Sequence, residues 1–137
     1  MEHPQLVRPQ HVAQWRPDRM GKATIFQSPR LLVGLNAFEP GQEHALHGHE
    51  GMDKMYYVIE GAGLFLLEDR DLPMEAGQML VAPAGVPHGV RNTGSERLLV
   101  LLALAPAPPL AQGRTGGQRG LVQPCRASSG PGDRARG

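Results

Sequence analysis

The stretch GQMLVAPAGVPHGVRN, residues 77–92, reads as a strand, a tight turn and a returning strand. Residues 78–82 are β-prone, Pro83-Ala-Gly85 makes the turn, and residues 88–92 resume an extended pattern led by His88. Proline fixes φ before the reversal, and glycine supplies the positive φ that the reversal needs.

The same alternation extends outward on both sides. Further β-prone runs cover residues 23–27, 31–38, 45–49, 54–59, 63–68 and 97–104. Between them stand Ser28-Pro29, Glu39-Pro-Gly41, Gly61 and Gly63, Glu75-Ala-Gly77, and Asn92-Thr-Gly94. Short strands at this spacing predict a β-sandwich or barrel. No window of a dozen residues holds a 3.6-residue apolar period, so few or no helices are expected. Residues 54–59 are apolar on both faces: Tyr56 and Val58 on one, Met55, Tyr57 and Ile59 on the other. Such a strand is buried on both sides, one face toward a barrel interior and the other against a second sheet or subunit.

Six histidines occur, and His47 and His49 are two residues apart. On a strand that spacing puts both imidazoles on one face, roughly 7 Å apart along the chain and within reach of one cation. Taken alone, the pair reads more readily as two solvated side chains than as ligands. His44 falls on the face opposite His47, as a surface or rim residue, and His3 and His11 lie in a polar N-terminal arm. Tyr56 and Tyr57 read as core or interface residues, and Arg91 as one end of a surface salt bridge.

Two spaced patterns carry a family resemblance. Residues 41–61 read GQEHALHGHEGMDKMYYVIEG: a glycine, five residues, H-x-H, and a closing glycine. Residues 77–92 fix Gly77, Pro83, Gly85, His88 and Asn92. In this order, 15 residues apart (62–76), the two patterns resemble the motifs of the cupin superfamily, and in particular its small one-domain bacterial members. The resemblance covers roughly residues 22–105 and implies an all-β double-stranded β-helix, a jelly-roll barrel. It implies that His47, His49 and His88 converge on a divalent transition metal: Zn, Fe, Ni, Mn or Cu.

One position departs from the family. Its usual fourth ligand is a glutamate, and Lys54 stands there. An ammonium has no lone pair for a metal. Three arrangements answer this. Three histidines and water hold the metal, with Lys54 turned to the mouth or to a substrate acid. Alternatively, the strand shifts by one residue and Asp53 supplies the carboxylate. In the third, no metal binds and Lys54 gives a histidine-lined pocket its charge. Glu50 is a further carboxylate, but it directly follows His49 and should face away. The implied functions are a metal-dependent oxygenase or isomerase acting on a small molecule, or a non-catalytic, sensory ligand binder. Lys54 and Asp53 are the candidates for handling a proton or an acidic group.

Length and composition fit one domain. The chain has 137 residues, with 40% apolar, 18 Gly and 13 Pro. An arm over 1–21, a barrel over 22–106 and a Gly/Pro/Arg-rich tail over 107–137 are predicted, the tail too poor in apolar residues to order itself. Its five arginines lack the dense basic run and aromatics of a nucleic-acid binder, so none is expected as a partner. Cys125 is the single cysteine, so no internal disulfide forms and a reducing compartment is expected. No leader-like or membrane-length apolar run occurs, which predicts a cytoplasmic protein. No G-x-S-x-G, nucleotide loop or long repeat is seen. The apolar outer face of 55–59 predicts a homodimer.

Overall fold

The computed structural model of the chain describes residues 4–48 and 50–109. The tail expectation from 110 onward, Cys125 and His49 therefore lie outside the described residues. Among the described residues one helical turn, α1 (Pro9–Val12), precedes nine strands. These are β1 (Gly21–Ser28), β2 (Leu31–Phe38), β3 (Glu43–His47), β4 (Asp53–Glu60), β5 (Ala62–Leu66), β6 (Asp71–Glu75), β7 (Met79–Ala82), β8 (His88–Arg91) and β9 (Leu98–Ala105).

All ladders are antiparallel, in two sheets ordered β1-β2-β9-β4-β7 and β3-β8-β5-β6. This is a jelly-roll barrel, the all-β architecture that the turn spacing predicts. One strand was not predicted: β6 contains Pro73, which argues against a strand in sequence. It forms an edge of its sheet, where a residue without an N–H donor is tolerated.

The barrel is filled by Phe38, Tyr56, Val58, Phe65, Val90, Leu98 and Val100, all at most 3% exposed. Alternation along β4 places Lys54 on the same inward side as Tyr56 and Val58. Among the described residues the outer face is not met by a second sheet. Leu35, Ala37 and Leu99 instead pack with Val12, Ala13, Trp15 and Ile59, so the chain's own arm covers part of it. Arg97 fixes that arm by lying over the Trp15 ring at 4.5 Å while pairing with Glu39 at 3.1 Å.

Asn92 explains its place at the end of the second pattern. It is 1% exposed; its amide donates to the Phe38 and Glu96 carbonyls at 2.9 Å, and its Oδ1 accepts from the Gly94 N–H. Its backbone bonds to Gly41 and Gln42, so one side chain and its peptide group tie the two motifs together. Between β4 and β5, Gly61 holds φ at +90°, and a Cβ there would collide with the Arg97 carbonyl oxygen.

Candidate functional site

His47 ends β3 and His88 begins β8, and the two are directly paired across the ladder. Their ring centroids lie 4.5 Å apart at 60°. Each Nδ1 is anchored to a carbonyl two residues back, His47 on Ala45 O at 2.8 Å and His88 on Val86 O at 2.9 Å. The carbonyls accept, so Nδ1 carries the hydrogen and Nε2 is the nitrogen with the lone pair. Backbone anchoring of this kind is how proteins orient imidazoles toward a cation or an acidic proton. His88 is 2% exposed, and burial followed by the charge of Lys54 lowers its pKa to about 3, so its ring is neutral.

The placement of His44 corrects the sequence reading. The β3–β8 ladder passes from His44↔Val90 to His47↔His88, three residues on one strand against two on the other. This β-bulge adds one residue and turns His44 to the side of His47. The two rings stack at 4.1 Å and 29°. His44 is half-buried with its Nδ1 fully enclosed and unpartnered among the described residues. Burial first, then the neighbouring His47, Lys22 and Lys54, holds its pKa well below the ordinary imidazole value.

Lys54 points into the barrel and is 5% exposed, with Nζ 4.7 Å from the centre of the Tyr56 ring. Tyr56 in turn meets His88 edge-on at 5.7 Å. Its hydroxyl is buried without a partner among the described residues, and burial pushes its pKa up. Asp53 lies on the opposite side of β4, exposed, its Oδ1 accepting from the Ala84 N–H at 2.9 Å. Glu50 is exposed as well. Arg91 and Glu43 form the expected surface pair at 2.8 Å.

Burial, with the charge of Lys22 adding to it, lowers the Lys54 pKa from 10.5 to about 7. Between those values an unfolded chain binds more protons than the folded one, so stability from this group rises with pH across that window. At and below about pH 7 the cost of burying the ammonium is fully present. Lys54→Met is therefore expected to melt above the wild type at pH 6, by a margin that shrinks toward pH 10. Thermal melts followed by circular dichroism check this, and a margin constant with pH would contradict it.

The donor set fits a metal only in part. Two anchored imidazoles suit a first-row divalent cation. However, an amine occupies the position of the expected carboxylate, and among the described residues no three His, Cys, Asp or Glu side chains form a metal-holding group.

A family model for the cupin domain matches residues 34–104, just over half of the chain. The chain belongs to the cupin family. Among curated relatives, this cupin is 31% identical over 85 residues to the oxalate-binding protein of Thermotoga maritima, covering 62% of this chain and 69% of that one. It spans about half the length of several other curated relatives. Among solved structures, TT1209 of Thermus thermophilus is 39% identical with a TM-score of 0.72, covering 75% of this cupin and 98% of that chain. An RmlC-like cupin from Desulfovibrio desulfuricans is 28% identical with a TM-score of 0.70, covering 76% and 98%. No helix among the described residues of this cupin is long and apolar enough to cross a membrane.

Proposed function

We propose that this cupin captures a small carboxylate-bearing molecule at the mouth of its barrel, where Lys54 neutralises the acid. His47, His49 and His88 hold a divalent transition metal beside it. The buried Lys54 carries this reading: it lies among imidazoles, and no acidic side chain among the described residues answers its charge. A buried ammonium without a counter-ion is costly, and a bound carboxylate offsets that cost. Similarity to an oxalate-binding protein supports the same ligand class. When bound, the cation would polarise a ligand oxygen, the chemistry that an oxygenase or isomerase needs. Asp53 is poorly suited as a fourth ligand while its carboxylate accepts from Ala84.

A second reading, metal-free and non-catalytic capture, is favoured by one observation: Lys54 stands where a carboxylate would complete the metal shell. The single cysteine suits the reducing cytoplasm in either case. Exposed Tyr57, Met79 and Val81 on the outer face of β4 and the edge strand β7 favour a homodimer.

One preparation tests these readings. The protein is purified without chelator, its metals are quantified, and acetate and oxalate are titrated calorimetrically while light scattering gives the mass. One metal per chain, with carboxylate heat that vanishes in Lys54→Met, is the expected result. Carboxylate binding without metal selects the second reading, and no carboxylate binding rejects both.

A further inference from the structure

Tyr56 reads as a core residue in the sequence, and its ring is packed as one. It is fully buried, with the Phe65 ring at 5.3 Å and 42° and His88 edge-on at 5.7 Å. Val58, Phe65 and Leu102 belong to the same apolar cluster. The hydroxyl does not suit that setting. It is enclosed, and it has no hydrogen-bond partner among the described residues. An unpaired buried hydroxyl costs stability that a phenylalanine in the same place would not lose. Native structures keep few such groups, and a functional role is one reason for keeping them.

The neighbour of the ring suggests the role. Lys54 leaves β4 two residues before Tyr56, on the same inward side, and its Nζ lies over the Tyr56 ring, 4.7 Å from the centre. The hydroxyl stands one bond beyond the ring edge. Seen from a point over the ring face, all positions around the rim are about equally far. The hydroxyl is therefore roughly 5–6 Å from Nζ, whichever way it points around the ring. Two donors at that separation can share one carboxylate, whose oxygens accept at about 2.8 Å from each. The phenol donates only while it is neutral, and burial pushes its pKa up, away from the phenolate that would repel an acid. The ammonium supplies charge, and the phenol a directed hydrogen bond.

We propose that the Tyr56 hydroxyl is the second donor of the Lys54 site, so that one carboxylate group of the ligand is held between ammonium and phenol. The proposal rests on the carboxylate reading above and deepens it with a residue that neither motif fixes. Tyr56 is then a ligand-binding residue as well as a core one, and its hydroxyl is satisfied only in the complex.

Tyr56→Phe removes one oxygen and keeps the ring that underlies Nζ and packs on Phe65 and His88. The test is calorimetry with acetate and oxalate on wild type and variant, together with thermal melts without ligand. The expected result is a loss of at least about five-fold in affinity for each acid that the wild type binds. The ligand-free variant should melt no lower than the wild type, because it loses no bond. A hydroxyl with a structural partner would give the reverse: a lower melting temperature and unchanged affinity. Unchanged affinity in Tyr56→Phe would overturn the shared carboxylate while leaving capture by Lys54 standing, and so would a lower ligand-free melting temperature. Binding of neither acid to the wild type would overturn the carboxylate reading, and this proposal with it.

Discussion

Replacing Lys54 with glutamate is expected to raise the affinity for Zn²⁺ or Mn²⁺ by at least about 100-fold and to abolish carboxylate binding. Residue 54 is buried beside His88, so the substitution removes a repelling charge and adds an oxygen ligand at one position. The two effects act in the same direction for a cation and in the opposite direction for an anion. Competition against a fluorescent chelator reads the first, and calorimetry with oxalate reads the second. Lys54→Met separates them, because it removes the ammonium without adding a ligand, and its gain in metal affinity should be smaller. Unchanged metal affinity in Lys54→Glu would mean that residue 54 does not share a site with the imidazoles.

Gly61→Ala is expected to destabilise the fold by about 3 kcal/mol or more. Two costs coincide there. The residue sits at φ +90°, and an added Cβ would run into the Arg97 carbonyl oxygen, a backbone atom that cannot swing aside. Gly77 provides the control: it has φ +93° but nothing within 4 Å of an added Cβ. Gly77→Ala should therefore cost only the conformational part, about 1–2 kcal/mol. Urea titration of both variants gives the comparison. Equal losses would show that the approach of Arg97 to the β4–β5 turn contributes nothing.

The barrel was legible because turns punctuate this chain so regularly, and because His47 and His88 stand in patterns whose spacing is set by strand geometry. Three features were not. Pro73 concealed β6, since whether a proline is tolerated depends on which strand becomes an edge, a property of the whole sheet. Asp53 and Lys54 could not be told apart while residues 55–59 were apolar on both faces; the ladder of β4 with β9 and β7 resolves the question, turning Lys54 inward with Tyr56. The turn of His44 to the side of His47 carried no signal at all. It comes from the bulge in the pairing of β3 with β8, which a strand read alone does not reveal.

The bulge between His44 and His47 has a consequence for how such barrels diversify. Strand parity there is decided by a count of residues, not by their identity. On a regular strand a three-residue separation would put the two imidazoles on opposite faces, so ironing out this bulge would turn one of them outward while every side chain kept its name. Relocating the bulge is thus a route to new pocket linings that leaves the turn glycines untouched.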